Sequence, residues 1–448
     1  MASAARLVPD AAQLAGLRAN LRRPPAGSVR DSSAPQLRDF AESAEEVREY
    51  QNSVLDINIE QWYDLIPEFT FPTEFVAISR EAGQLFVDSF LAYEGHKKRV
   101  TLGQLEPTSE YVPPLQIQER VNTLLLSPLQ AAVGRVREAP EHPVFIKASS
   151  RSAKDAPTSV ARLADIYRHE LALCRAADDN TKLCCMLRAG LELLKAFSAS
   201  DALDLFLRSE RIYQDMLLAL ERPDRWDEHF AVRRWVNIDV GMEFRGFVHD
   251  GRLNALSQYN HLCYFPELIA QRDAILRSVC EFFTANIQPR LAPRFSSYII
   301  DFALTPTDAT DPAETAAAVG GGGAWKLWVI ELNPFMETTD GCLFSWKHER
   351  HILEGNANPD DSAAAQTEAC DRPPLDAALA SSTTATGTSK SSVEEGVPPE
   401  SLLLEFRLVE RPRNGAKALV ASDWRELLEL SDVDTTRGGS TVANTLRE

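Results

Sequence analysis

Two short runs, Tyr298-Ile299-Ile300-Asp301-Phe302 and Val329-Ile330-Glu331-Leu332-Asn333-Pro334, constrain this chain more than any other feature. Both are rich in β-branched and aromatic residues, the make-up of buried strands. Side chains alternate along a strand, so Glu331 and Asn333 share one face while Ile330 and Leu332 share the other. Pro334 cannot donate to a ladder and ends the strand just past the pair. If the Asp301 strand lies alongside, Asp301, Glu331 and Asn333 bring three hard oxygen ligands to one spot. That set suits Mg²⁺, which takes one or two carboxylates and fills its other positions with waters and substrate phosphates. Taken alone, the same residues equally describe a buried strand ending in a solvated Glu and an Asn turn.

Two biased stretches must be set aside before domains are counted. Residues 1–40 are rich in Ala, Arg, Pro and Ser, and residues 354–400 run through an Ala/Ser/Thr tract to Val-Glu-Glu-Gly-Val-Pro-Pro. Neither holds enough large apolar residues to offset chain entropy, so both read as disordered. Roughly 300 residues remain, enough for one two-lobed domain. It is expected over 45–353, with 401–432 returning to the core and 433–448 a tail.

The formal charge of −18 argues against direct binding of nucleic acid, which needs a net basic surface. It is compatible with docking a basic protein surface. Seven scattered cysteines form no Cys-x-x-Cys pair and no His-bearing cluster, which predicts a reducing compartment and no structural zinc. No apolar run approaches the ~20 residues of a membrane span. Arg6, Arg18, Arg22, Arg23 and Arg30 near the start admit a mitochondrial transit peptide, but Asp10 and the prolines favour a disordered cytosolic tail. A cytoplasmic monomer is expected.

Helical spacing of Leu85, Phe86, Phe90 and Leu91 predicts a core helix over 80–93, and Val121, Leu124, Leu125 and Leu129 predict another over 115–138. Residues 157–222 read as helical almost throughout. Strands are expected at 144–148, 230–236 and 243–248, and Asp250-Gly251 makes a hairpin-type turn into 253–259. Residues 266–291 read as a long amphipathic helix. The last two strands bracket a Thr/Asp/Ala/Gly-rich hairpin insertion, 305–323. It is not a phosphate loop, since no Lys-Ser/Thr follows its glycines.

Lys147 closes an apolar strand, where a long ammonium can reach a phosphate as a point charge. The following Ser149-Ser150-Arg151-Ser152-Ala153-Lys154-Asp155 offers hydroxyls, amides and cations. A plain polar loop with exposed basic residues fits this pattern too. Glu243 and Arg245 stand two apart on one strand and share a face, as ligand contacts or as an in-strand ion pair.

Three blocks resemble the cell division cycle protein 123 family, in order and at compatible spacing, over roughly residues 55 to 350. They are Val144 to Ala156, Arg233-Arg234-Trp235 through Glu243 to Val248, and the Asp301 and Glu331/Asn333 strands. The resemblance implies an α+β, ATP-grasp-like fold with helical insertions and two lobes, the nucleotide site lying between antiparallel sheets. It implies ATP and Mg²⁺ as cofactors. Lys147 resembles the family's ATP lysine, and Ser150, Ser152 and Lys154 follow it, Lys154 standing where relatives have arginine. Arg234 and Val236 match, by position, the interlobe segment whose backbone edge holds adenine. Glu243 matches a ribose contact and Arg245 a phosphate contact. Asp301, Glu331 and Asn333 match the metal triplet, with Glu331 where some relatives have aspartate. In that role, Asp301→Asn is expected to weaken Mg²⁺-ATP binding much more than it destabilises the free protein.

The family function implied is chaperoned assembly of eukaryotic translation initiation factor 2 through its gamma subunit. An ATP-grasp ligase that activates a carboxylate as an acylphosphate is the alternative. Phe335 to Trp346 also resembles the family and reads as a capping or partner-facing segment with packed apolar residues. His261 is assigned no catalytic role.

Overall fold

The computed structural model describes residues 44–106, 111–156, 162–175, 178–307, 325–356, 404–420, 424, 425, 427 and 428. The expected tails at 1–40 and 433–448, and most of the 305–323 insertion and the 354–400 linker, lie outside the described residues. The fold is mixed α+β, with two sheets and helices.

The smaller sheet has three strands, β1 (Thr73–Ala77), β2 (Val144–Ala148) and β3 (His229–Arg234), with β3 central and antiparallel to both neighbours. Its core draws on Ile146, Phe230 and Val232, packed against four helices. These are α1 (Arg80–Thr101), α2 (Ser127–Val136), α3 (Ala199–Phe206) and α4 (Glu210–Leu220). Leu85, Leu129 and Ile212 are fully buried there, each contributing about 1.5–3 kcal/mol relative to exposure. Ser79 caps α1 by accepting from the Ala82 amide, and a Ser198/Asp201 capping box starts α3.

The larger sheet runs β7 (Trp325–Asn333), β6 (Tyr298–Pro306), β4 (Glu243–His249), β5 (Arg252–Gln258), β8 (Glu405–Arg407). All pairs are antiparallel except β5·β8, which is parallel. Asp250 and Gly251, at φ 50° and 72°, make the turn between β4 and β5. Thr305 and Pro306 pair with Lys326 and Trp325, so the strands claim the first residues of the expected insertion. On one face Phe244, Leu256, Ile300 and Phe302 meet α5 (Pro266–Phe282) through Ile275 and Val279. On the other, Phe247, Ala255 and Ile299 pack under Phe344, Trp346 and Leu353. Sheet alternation puts Arg245, Ser257 and Asp301 on this second face, beyond the apolar patch.

A β-bulge interrupts β6·β7. Asp301 opposes Glu331 and Phe302 opposes Val329, which leaves Ile330 extra. No described helix is long and apolar enough to cross a membrane.

Candidate functional site

Register sets a transverse row across the whole larger sheet. Glu331 on β7 opposes Asp301 on β6, Asp301 opposes Arg245 on β4, Arg245 opposes Ser257 on β5, and Ser257 opposes Arg407 on β8. Arg245 forks Asp301, Nε donating to Oδ1 and Nη2 to Oδ2, each at 2.8 Å, while Nη1 donates to the Asp340 carbonyl at 2.8 Å. Both partners are buried. The Asn333 amide nitrogen donates to Asp301 Oδ2 at 3.3 Å. The expected trio of Asp301, Glu331 and Asn333 is therefore one contiguous cluster.

The smaller sheet reaches into it. Lys147, buried on β2, places Nζ 3.1 Å from Glu331 Oε2. In the loop after β2, the Ala148 amide donates to the Arg151 carbonyl at 2.7 Å, a tight bend. Ser150 Oγ donates to Asp215 at 2.6 Å, and Arg151 pairs with the same carboxylate at 3.0 Å. The Lys154 ammonium lies 5.5 Å from the Tyr259 ring centroid, and the Arg245 guanidinium lies 4.9 Å from it.

Three cations, Lys147, Lys154 and Arg245, thus meet three carboxylates, Glu243, Asp301 and Glu331. Burial opposes charge on Glu331, yet Lys147, Lys154 and Arg245 hold its carboxyl down at about 2. Burial leaves the Asp301 carboxyl above its ordinary value, with Arg245 pulling it back only in part. The two charge-assisted bonds hold it as the carboxylate. Burial pushes Glu243 up to about 7, with Lys154 opposing. Tyr259, Glu243, Glu331 and Asp301 keep the Lys154 ammonium protonated beyond its usual range despite burial.

A cavity of about 270 Å³ opens on this cluster. Ser150, Ser152, Lys154, Glu243, Arg245, Glu331 and Asn333 line it, with Lys147 and Asp301 buried just behind. Arg234 and Val236 are not among its lining residues. Arg234 ends β3 exposed, 3.0 Å from Glu138, and Val236 lies in the segment after the strand. Tyr259 and Arg151 also line the cavity, as do Asp340 and Cys342, to which sequence reasoning assigned no part in the site. Tyr259 follows directly on the end of β5, two residues beyond Ser257.

The donor set fits Mg²⁺: two carboxylates and an amide are hard ligands of the kind it takes. The cations around them fit a polyphosphate.

The family model described as D123 matches residues 180–422, more than half of the chain, and the chain belongs to the cell division cycle protein 123 family. The match covers Glu243, Arg245, Asp301, Glu331 and Asn333, while Lys147 to Lys154 lie upstream of it. The translation initiation factor eIF2 assembly protein of Xenopus laevis is 27% identical over 166 residues, 36% of this chain and 44% of that protein. Cell division cycle protein 123 of Phaeosphaeria nodorum is 29% identical over 119 residues, 26% of each chain. These alignments span less than half the length of the curated relatives. The structure of Cdc123 from Schizosaccharomyces pombe aligns over 69% of this chain and 95% of its own, at 18% identity and a TM-score of 0.43. That likeness is too loose for residue-level comparison.

Proposed function

We propose that the chain binds Mg²⁺-ATP between its two sheets as an ATP-grasp-like protein. In that form it promotes assembly of eukaryotic translation initiation factor 2 through the gamma subunit. The observation that carries the nucleotide half is the meeting of Lys147, from the smaller sheet, with the Asp301–Glu331–Asn333 cluster of the larger one. Support for the assembly half comes from the family and from relatives named as eIF2 assembly proteins.

In this reading Asp301, Glu331 and Asn333 would hold the ion, and ATP would supply a polyphosphate whose charge the neighbouring cations share. Lys147 now neutralises Glu331. A dication there would release its ammonium toward phosphate, so one residue serves both states. Arg245 keeps Asp301 ionised and aimed. Ser150 and Ser152 offer hydroxyls from the loop after β2, and Glu243 stands on the cavity wall as an acceptor for sugar hydroxyls. The side-chain roles require positioning and charge, and no proton transfer.

Calorimetric titration of ATP with and without Mg²⁺, beside the Glu331→Ala/Asn333→Ala double variant, tests the first half. Metal-dependent binding that disappears in the variant is expected. No binding by the unmodified protein removes the nucleotide reading, and equal binding by both removes the Asp301–Glu331–Asn333 cluster from it. A pull-down with the purified gamma subunit, with and without Mg²⁺-ATP, tests the second half, and no capture under either condition overturns it.

A further inference from the structure

His261, Asp340 and Cys342 lie far apart in sequence, yet the fold gathers them on the wall of the same cavity. An imidazole nitrogen, a carboxylate oxygen and the sulfur all fall within 4.8 Å of one another. That bound admits the ligand-to-ligand separations of about 3.3–3.8 Å found in a tetrahedral site with bonds of about 2.0–2.3 Å.

His261 is 6% exposed. Its Nδ1 lies 3.2 Å from the Tyr259 carbonyl, which selects the tautomer with the proton on Nδ1. Nε2 is then left with its lone pair, buried and without a hydrogen-bond partner among the described residues. A histidine steered by a backbone carbonyl through one nitrogen, with the other unsatisfied, has the arrangement of a metal ligand. The loop that brings the other two residues is held in place. Cys342 sits at φ 54°, and its amide donates to Asp340 Oδ1 at 2.8 Å. The next amide, Leu343, donates to Ser257 Oγ at 3.2 Å, and Arg245 holds the Asp340 carbonyl.

We infer that His261, Asp340 and Cys342 form a three-ligand site for a zinc-class divalent cation, separate from the Asp301–Glu331–Asn333 cluster. Sulfur and imidazole select zinc-class ions over Mg²⁺, whose preference is oxygen. A thiolate and a carboxylate balance the dication, so the loaded site is electrically neutral beside the Arg245–Asp301 pair. Binding forms the metal–sulfur bond and releases the thiol proton to solvent. The three residues line the cavity, so the fourth ligand position faces it.

Co²⁺, titrated into the chelator-treated full-length chain, is the probe. One equivalent is expected to bind with a thiolate-to-cobalt charge-transfer band, displaced by Zn²⁺. Oxygen ligands at the Asp301 cluster give no such band, so this outcome is independent of nucleotide binding. Cys342→Ser should abolish the band. His261→Gln should weaken binding at least tenfold, the lower end of what loss of a supporting contact costs. Circular dichroism checks that both variants fold. Absence of the band in the unmodified chain overturns the inference, and so does a band that persists in Cys342→Ser, which would place the ion on other cysteines.

Discussion

Arg233, rooted in the smaller sheet, donates Nη1 to the Ile330 carbonyl of the larger sheet at 2.6 Å. Ile330 is the extra residue of the β-bulge, so its carbonyl lies outside the regular register. Thr70 completes the junction. It accepts from Arg233 Nη2 at 2.6 Å and donates to the Val329 carbonyl at 2.7 Å. The irregularity next to Glu331 is therefore an anchoring point between the two sheets, a few residues from the site.

Arg233→Lys should destabilise the protein by about 2–4 kcal/mol, because one ammonium cannot span Thr70 and Ile330 while the buried charge remains. Burial lowers the guanidinium only to about 10, so the native residue stays charged at neutral pH. Urea unfolding measures the effect. An unchanged midpoint would mean that the junction holds without the fork.

The Arg245 fork alters what a change at Asp301 should do. Asp301→Asn leaves a buried guanidinium without its counterion, a loss of about 3–5 kcal/mol in the free protein. The sequence alone led us to expect an effect mainly on the ion. Glu331→Gln should cost less, since the Glu331 side chain keeps 22% of its surface exposed where it meets Lys147. Denaturation of both variants without ligand ranks them, and the reverse order would refute the pairing argument.

Gly190 admits the indole of Trp424. A Cβ at that position would stand 2.9 Å from the indole Cη2. Gly190→Leu should therefore lower stability by about 1–3 kcal/mol through overpacking. In Trp424→Ala the same substitution should cost less, giving a non-additive double-mutant cycle. Strictly additive losses would show that the two side chains do not compete.

Stability should also depend on pH through Glu228. Burial, then Asp215 and Glu60, push its carboxyl up from 4.5 to about 8. The folded state thus holds this proton more tightly than the unfolded chain does. The resulting stability is full below about pH 4.5 and is lost as pH rises through about 8. Each tenfold change in proton affinity is worth about 1.4 kcal/mol, so the total is a few kcal/mol. Glu243 adds a contribution of the same sign up to about pH 7. Melting temperatures between pH 5 and 8 should fall less steeply in Glu228→Gln; equal slopes would dismiss Glu228 as the source.

The strand pair and its three polar residues were legible because period-two alternation and a terminating proline are local signals. The bulge at Ile330 was not, since nothing in Val-Ile-Glu-Leu-Asn marks which residue a partner strand will skip. Lys147 was legible as the end of an apolar strand, but its contact with Glu331 joins two sheets and has no local trace. Arg234 and Val236 were named by position along the chain. Arg234 ends β3 with its side chain exposed and paired with Glu138. The gathering of His261 with Cys342 depends on a loop packing over β5, so spacing could only exclude a compact cysteine motif.

The parallel pairing of β8 with β5 has a consequence for synthesis. The five-residue row from Glu331 to Arg407 is completed by a strand translated long after Ser257. At about 5–20 residues per second, the nascent chain carries an open β5 edge for on the order of ten seconds. During that interval the unpaired edge is a template for any extended segment that approaches it. Shielding of this edge on the ribosome is thus one demand that the order of strands places on the cell.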